Sequence, residues 1–311
     1  MCIRDRFRRR FADLYRRYFC SHEKYWMTFR RITFLILLSF IITNTSKSDF
    51  KEIKKKAIIT KPEIIFPIRQ KLDKCINNMY VNQTTNPVLP VIKVEAPSGY
   101  GLDNRFMYAL NKFENFKRPC GGGDIEACEN VKRVILDWAK ADAAKRTGPS
   151  NHEGRHWNDT LTVNLWVASP MMAAYSFAKQ IIKVPDNEDK LIKDWFERIV
   201  KKNKHLMYGM TYKQGTQAIG VPKRAHNHAL SSAIAHMELG ILLNDNTQFR
   251  KAFKNYEAAI KHQRGDGSLP IETRRGGRAM FYQGRAMNAL SVIAIVAENQ
   301  GYNLSLIHIS E

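Results

Sequence analysis

The chain has 311 residues, of which 44% are hydrophobic and 25% are charged. A chain of this length and composition can bury one large hydrophobic core or two smaller ones. It is therefore not a protein too short or too polar to form a core. The formal net charge of +21 predicts a polyanionic partner, namely nucleic acid, anionic lipid or an acidic polysaccharide. Lysine, isoleucine and asparagine are abundant throughout, so background composition is the alternative explanation of the charge.

A secretory signal peptide is predicted over residues 27–48. Arg30 and Arg31 form a basic region after Met27, an apolar run occupies residues 32–42, and small polar residues follow. That run is too short to cross a hydrocarbon core of about 30 Å, so no stable membrane span is expected. An uncleaved amphipathic anchor is the alternative. We therefore expect a periplasmic or secreted protein.

Both ends of the chain look like translated sequencing adapters. The first residues read MCIRDR, and the last eight read LSLIHISE. We expect residues 1–26 and 304–311 to be non-native, and the natural C-terminus to lie beyond about Asn303. Outside residues 1–48, 39 basic and 26 acidic residues remain, a net charge of +13. The remainder is therefore still clearly basic.

Five cysteines are present, of which Cys75, Cys120 and Cys128 lie outside the first 48 residues. In an oxidising compartment, Cys120 and Cys128 would close a short loop around three glycines and leave Cys75 over. No CxxC motif and no His/Cys cluster has the spacing of a zinc site. We therefore expect no metal and no cofactor.

The chain divides into a loop-rich lead-in at residues 49–100 and a helical region at residues 101–303. The lead-in holds five of the eleven prolines and is predicted to contain one short helix near Ile68–Met79. Strand patterns are nearly absent. Apolar residues recur at helical spacing in seven segments: Asn104–Phe116, Ile125–Ala144, Leu161–Ile182, Glu188–Val200, Asn227–Leu243, Thr247–His262 and Arg285–Ala297.

Buried and amphipathic helices alternate along this region, which predicts an all-α fold of stacked helical hairpins. No fixed sequence period is present, so a simple short-repeat solenoid is excluded. An incomplete (α/α) toroid or barrel of helical hairpins, with loops at one end holding the site, fits the pattern. Periodicity alone does not distinguish it from another α-helical array.

Two polar segments carry residues suited to an anionic ligand. The first runs from Lys223 to His228 and directly precedes an apolar helix. Asn227 is a residue type that caps helices, and the free N–H groups of a helix N-terminus favour an anion. His228 is then either a hydrogen-bonded structural residue or a functional one.

The second segment reads GDGSLPIETRRGGRAMFY. Arg274, Arg275 and Arg278 precede Tyr282 closely, and Arg285 lies just beyond. Glycines let the backbone turn sharply, and guanidinium groups bind carboxylates through two hydrogen bonds. The segment is therefore a candidate carboxylate-binding loop, with a solvated basic loop as the alternative.

Together the two segments resemble the alginate lyase family of helical toroid fold, including its mannuronate-specific members. The family has an Asn-His pair that opens a helix, here Asn227 and His228, and a stretch similar to GSLPIETRRGGRAMFY. The separations, 47 positions from His228 to Arg275 and seven more to Tyr282, also fit the family. The resemblance is strongest over residues 205–303.

The chain departs from the family pattern at two places. Ala229–Ser232 replaces an aromatic-rich sequence after the Asn-His pair. Gln283–Arg285 stands where many relatives carry a His-Asn-Tyr run. These departures bear on the substrate more than on the chemistry.

The resemblance implies an exported polysaccharide lyase that cleaves β-1,4-linked polyuronate by β-elimination and leaves 4,5-unsaturated uronate ends. Asn227 and Arg275 would neutralise the carboxylate beside the C5 proton, with His228 helping or accepting the proton. Tyr282 would protonate the leaving O4 and, as a phenolate, take the C5 proton. Mannuronan (alginate) is the expected polymer, and glucuronan, which differs at C2, is the alternative.

Five further residues are candidates for substrate contacts. Trp157 would stack on a sugar ring, with a place in the core as the alternative. Lys223, Arg224, Arg278 and Arg285 would bind neighbouring uronates or remain solvated. The expected partner is an acidic polysaccharide and not nucleic acid, and a monomer is expected.

Three other classes compete with the lyase. A non-catalytic acidic-glycan-binding protein would need no phenol at the spacing of Tyr282. A helical glycoside hydrolase would need two carboxylates, for which Glu153, Asp159, Asp266 and Glu272 are candidates. A nucleic-acid-binding protein fits the charge, but the expected export and the lack of a binding motif oppose it.

Overall fold

The computed structural model describes residues 47–68, 93–94, 104–144, 146–147, 167–201 and 223–304. Within these ranges the helices are α1 (Lys47–Lys56), α2 (Asn104–Gly121), α3 (Ile125–Lys140), α4 (Ser169–Ile181), α5 (Asp186–Lys201), α6 (Asn227–Leu243), α7 (Asn246–Lys261), α8 (Pro270–Thr273) and α9 (Ala279–Asn299).

Short elements link these helices. Two-residue strands β1 (Lys93–Val94) and β2 (Arg146–Thr147) pair in parallel. Single 3₁₀ turns at Lys223–Ala225 and Gly276–Arg278 precede α6 and α9. In the part of the chain that the structure describes, no helix is long and apolar enough to cross a membrane.

Helices α2 and α3 form a hairpin that a disulfide closes. Gly123, with φ of 93°, makes the turn. Asp124 then caps α3, because its side chain accepts a hydrogen bond from the Ala127 N–H at 2.9 Å. Cys120 and Cys128 are bonded to each other, so the predicted disulfide is confirmed.

Helices α4 and α5 carry the buried aromatic residues of the next layer. The helix predicted from Leu161 is seen from Ser169 onward, and residues 161–166 lie outside the described part. Trp195 and Phe196 of α5 are fully buried, with ring centroids 4.9 Å apart. The Trp195 Nε1–H donates to the Ala143 carbonyl at 2.9 Å, so a buried donor is satisfied while α5 is tied to the end of the first hairpin.

Helix α6 is the central element. Every residue from Asn227 to Leu242 is buried, because α6 packs against α4, α5, α7 and α9. Gly240 permits the close approach of α7, since a Cβ atom at this position would lie 2.5 Å from the Phe249 nitrogen. Asn244, with φ of 53°, ends α6 in the left-handed conformation.

Residues 57–68 of the predicted lead-in pack onto the helices. Ile65 is fully buried, and the Glu63 N–H donates to the Ile241 carbonyl of α6 at 3.0 Å. This segment therefore contributes to the core that supports α6. The helix predicted at Ile68–Met79 lies outside the described residues beyond its first position, which is not helical.

Helix α9 begins at Ala279, six residues before the start predicted at Arg285. Gly276 has φ of 56°, and this turn allows the chain to enter α9 directly rather than after Gly284. Tyr282 therefore lies in the first turn of a helix, where its side-chain direction is set by regular backbone geometry.

Candidate active site

The N-terminus of α6 is capped by His226 and not by Asn227. His226 has an extended backbone (φ −72°, ψ 145°), and its Nδ1 accepts from the His228 N–H at 3.2 Å. Asn227 is instead the first helical residue. The prediction that Asn227 caps the helix is wrong, because an imidazole nitrogen takes the place of the usual short polar side chain and the Asn227 amide has a different partner.

That partner is Glu272 in α8, a carboxylate with 0% exposure. Its Oε1 accepts from the Asn227 backbone N–H at 2.7 Å, and its Oε2 accepts from Asn227 Nδ2 at 2.8 Å. The same Oε2 lies 3.2 Å from Arg275 Nε. Two segments 45 residues apart in sequence are joined by this one side chain.

The Arg275 guanidinium contacts His226 and Tyr282 as well as Glu272. Its Nη2 contacts Nε2 of His226. Its central carbon lies 4.0 Å from the centre of the Tyr282 ring, an arrangement that the electron-rich face of the ring stabilises. The Arg275 side chain is 19% exposed, so its charge is partly shielded from water.

Phe281 and Arg285 extend the cluster along α9. The Phe281 and Tyr282 rings meet edge to face with centroids 5.3 Å apart. The Arg285 guanidinium carbon lies 4.7 Å from the Phe281 ring centre. Phe281 is 54% exposed, whereas Tyr282 is 8% exposed. The two aromatic rings therefore lie between the Arg275 and Arg285 guanidinium groups, so cations and apolar surface are side by side.

The two histidines at the start of α6 are held neutral. Their rings meet edge to face with centroids 4.5 Å apart. Burial, followed by the charge of Arg275, lowers the pKa of His226 to about 3. Burial also lowers the pKa of His228 well below its usual value, and neighbouring His226, Arg275 and Arg285 add to the effect. The positive charge of the cluster therefore comes from arginine at neutral pH.

The pKa values of Glu272 and Arg285 are also shifted. Burial raises the pKa of Glu272, while hydrogen bonds from Asn227 and the charge of Arg275 act in the opposite direction. Burial lowers the pKa of Arg285, and Tyr282 opposes that shift. Both groups are thus electrostatically coupled to residues predicted to act in catalysis.

The other predicted contact residues lie at different depths. Arg278 is exposed, and Arg224 is half-buried, with its carbonyl accepting from Asn255 Nδ2 at 3.1 Å. Lys223 begins the 3₁₀ turn before α6. Trp157 lies outside the described residues.

Three members of the cluster have a place in the site that the sequence did not indicate: His226, Phe281 and Glu272, which was a candidate only as a hydrolase carboxylate. Glu272 lies three positions before Arg275, a spacing typical of helical ion pairs, and this signal could have indicated it. His226 adjoins the Asn-His pair but is not a usual capping residue. The exposure of Phe281 follows only from the early start of α9.

The carboxylates are not arranged as a hydrolase pair in the described residues. Glu272 accepts two hydrogen bonds from Asn227 and is paired with Arg275. Asp266 lies in an exposed turn, where it accepts from the Ser268 N–H at 2.9 Å. Glu153 and Asp159 lie outside the described part. Within that part, no group of three or more His, Cys, Asp or Glu residues is placed to hold a metal ion.

Comparison with known proteins identifies relatives across most of the chain. The family model described as alginate lyase matches residues 60–308. Alginate lyases of Pseudomonas syringae pv. syringae and Cobetia marina are 25% and 27% identical over 186 residues. That of Pseudomonas aeruginosa strain LESB58 is 26% identical over 198 residues. The alignments cover 58%, 58% and 61% of this chain.

The same alignments cover 45%, 45% and 47% of those three relatives. The chain therefore spans about half the length of the curated relatives that it matches.

Solved structures of alginate lyase A1-III share the fold. A histidine-to-alanine variant complexed with tetrasaccharide matches with a TM-score of 0.60 and 18% identity, over 81% of this chain and 74% of that chain. The enzyme from Sphingomonas species A1 matches with a TM-score of 0.53 and 18% identity, over 83% and 70%. The predicted all-α, incomplete (α/α) toroid of helical hairpins is confirmed by these likenesses.

The clustered Asn-His, Arg and Tyr side chains, the toroid fold and a family model that matches well over half of the sequence agree with one another. The chain belongs to the alginate lyase family.

Proposed function

We propose that the protein is a polysaccharide lyase that cleaves alginate, at β-1,4-linked mannuronan, by β-elimination. The observation that best supports this is the cluster in which Glu272 joins Asn227 to Arg275, and Arg275 stacks on Tyr282. The activity named for the relatives and the tetrasaccharide bound to variants of alginate lyase A1-III support the same chemistry.

The first task in β-elimination is to stabilise the charge that develops when the C5 proton leaves. That charge spreads into the neighbouring carboxylate, which must therefore be neutralised. Asn227 Nδ2 directs one N–H to Glu272 and carries a second N–H for the substrate. Arg275 supplies the positive charge. Both groups contact the fully buried Glu272 carboxylate, so they need to move little when the substrate binds.

The second task is proton transfer, which we assign to Tyr282. In D-mannuronate the C5 proton and O4 lie on the same face of the ring, so one group can take the first proton and protonate the leaving oxygen. Tyr282 is 8% exposed, and the Arg275 guanidinium lies 4.0 Å from its ring centre. Negative charge that passes through the phenolic oxygen is therefore next to a fixed cation.

His228 is suited to a neutral role. Its pKa lies well below the usual value because of burial and the neighbouring His226, Arg275 and Arg285. A neutral imidazole can form hydrogen bonds or accept a proton, but it does not pair with a carboxylate as a cation. We therefore assign carboxylate neutralisation to Arg275 and Asn227, with His228 as a hydrogen-bonding assistant.

Substrate contacts beyond the reacting sugar are proposed for Arg285, Arg278 and Arg224. Arg285 lies beside the exposed Phe281 ring, a combination that suits the apolar face and the carboxylate of a uronate. Lys223 and Trp157 remain predicted contacts.

Export by a signal peptide at residues 27–48 and action as a monomer are proposed as well. The proposed lyase domain covers residues 101–303, with the lead-in segment 57–68 packed against it.

The test is the ultraviolet absorbance of the unsaturated uronate product. Polymannuronate, polyguluronate and glucuronan are each incubated with the protein and, in parallel, with the Tyr282→Phe protein. We expect absorbance to rise on polymannuronate and not in the variant. A rise on glucuronan alone would make glucuronan, and not polymannuronate, the proposed substrate. No rise on any polymer with folded protein would overturn the proposed function.

A further inference from the structure

A buried carboxylate lies in the centre of a site that has to bind a carboxylate. Glu272 is fully buried. When it is ionised, it repels the carboxylate of the uronate that the neighbouring arginines attract. Burying such a charge is also unfavourable unless its partners compensate. Other contacts of Glu272 must therefore offset this repulsion and the unfavourable burial of its charge.

Glu272 forms two hydrogen bonds with Asn227 and an ion pair with Arg275, the two groups assigned to carboxylate neutralisation. Oε1 and Oε2 accept from the backbone and side chain of Asn227 at 2.7 and 2.8 Å, and Oε2 lies 3.2 Å from Arg275 Nε. The bond to Asn227 Nδ2 also determines which way the amide points, because a reversed amide would direct its oxygen at a carboxylate oxygen.

We propose that Glu272 is a positioning residue that orients the Asn227 amide and the Arg275 guanidinium toward one substrate carboxylate. The inference rests on the proposed lyase function. Glu272 does not touch the sugar; it acts through two residues that come from α6 and from the segment after α8. A glutamate is suited to this role because an ionised carboxylate accepts both hydrogen bonds from Asn227 and also forms the ion pair with Arg275.

Two substitutions separate position from charge. Glu272→Gln keeps the shape but replaces one carboxylate oxygen with an NH₂ group and removes the charge, so a hydrogen bond to Asn227 or the ion pair with Arg275 is lost. Glu272→Asp keeps the charge but is one methylene shorter, so it does not span Asn227 and Arg275 together. If charge alone mattered, the Asp variant would remain active; the positioning role predicts that both variants lose activity.

Glu238 provides a matched control. It is also a buried glutamate, with 1% exposure, on the same central helix. Its electrostatic partners are Ser169 and Lys117 rather than the cluster. Glu238→Gln therefore makes the same substitution at a buried site outside the proposed machinery.

The experiment measures kcat and KM on polymannuronate for the wild type, both Glu272 variants and Glu238→Gln, with thermal unfolding to verify folding. We expect kcat/KM to fall about 100-fold in both Glu272 variants, the effect of a small misplacement of reacting groups. The kcat/KM of Glu238→Gln should stay within about twofold of the wild-type value, which is too small a difference to count as a significant change in free energy.

Affinity for polymannuronate is measured in parallel in the Tyr282→Phe background, where turnover does not interfere. Adding Glu272→Gln should weaken binding, and adding Glu238→Gln should not. Active wild type with unchanged Glu272 variants would overturn the positioning role and leave the lyase intact. Wild type that neither cleaves nor binds any polyuronate would overturn the proposed function and, with it, the carboxylate that Glu272 is said to serve.

Discussion

The two ends of α6 are buried by different means. At the N-terminal end, Asn227 and His228 are surrounded by hydrogen bonds and charges from α8 and α9. Toward the C-terminal end, Gly240 lies so close to α7 that a Cβ atom would be 2.5 Å from the Phe249 nitrogen. One end holds polar groups that need partners, and the other is closed by backbone contact.

The carboxylates of the two regions show what this difference teaches. Glu272 accepts two hydrogen bonds from Asn227 and forms an ion pair with Arg275. In the described residues one oxygen of Glu238 is buried with no hydrogen-bond partner, and burial raises its pKa to about 8. A buried carboxylate thus either gathers donors or takes up a proton. The region with gathered donors is the one suited to recognising another anion.

Tyr282→Phe should have the largest effect on the polar end. Removal of the phenolic hydroxyl deletes the proposed proton-transfer group, so kcat should fall by about 100- to 10,000-fold. The ring that Arg275 stacks on is retained, so stability should change little. Tyr256→Phe, which alters a buried tyrosine of α7 whose hydroxyl donates to the Leu304 carbonyl at 3.4 Å, is the control. Equal kcat in both variants would remove Tyr282 from the mechanism.

Glu238 should make stability depend on pH. Its folded pKa of about 8 lies above the ordinary value of 4.5, so the folded state holds a proton that the unfolded state releases. Its contribution to stability is therefore present below pH 4.5 and is lost as pH rises toward 8, by on the order of a few kcal/mol. Denaturant unfolding of wild type and Glu238→Gln gives the difference, which isolates Glu238 from the buried histidines. A difference that does not vary with pH would contradict the assignment.

Gly240→Ala tests the backbone contact at the apolar end. The added methyl would meet the Phe249 backbone, and overpacking of this kind costs about 1–3 kcal/mol. Gly284→Ala is the matched control, because nothing lies within 4 Å of a Cβ there. That change in α9 should stabilise by roughly 0.5–1 kcal/mol. Unfolding midpoints that move in the same direction would show that the two glycines are equivalent.

Phe281→Ala should give the smallest effect, limited to substrate binding. Loss of the exposed ring beside Arg285 should raise KM on polymannuronate roughly three- to tenfold, the equivalent of about 1 kcal/mol. Met280→Ala alters a neighbouring residue that is even more exposed, at 84%. A KM that rises equally in both variants would indicate a nonspecific change of α9.

Much of the helical framework could be predicted because apolar periodicity reports burial directly. The predicted bounds of α6 agree with the structure, and those of α7 agree within one residue. The start of α9 was missed because it depends on a positive φ at Gly276, and most sequence patterns do not reveal backbone angles.

The site was predictable only in part. The resemblance indicated Asn227, Arg275 and Tyr282, and the structure brings these three side chains into one cluster. The contact of Glu272 with Asn227 and that of His226 with Arg275 were not predictable, because they join residues 45 and 49 positions apart. Local spacing carries no information about which distant donor a buried carboxylate meets.

The mass of the oligosaccharides formed from polymannuronate would show whether the polar end of α6 performs β-elimination. Elimination adds no water across the broken bond, so each new non-reducing end should be one water lighter than a hydrolysis product and should absorb as an unsaturated uronate. Saturated products with the full mass of hydrolysis, or binding without cleavage, would show that this site does not catalyse elimination.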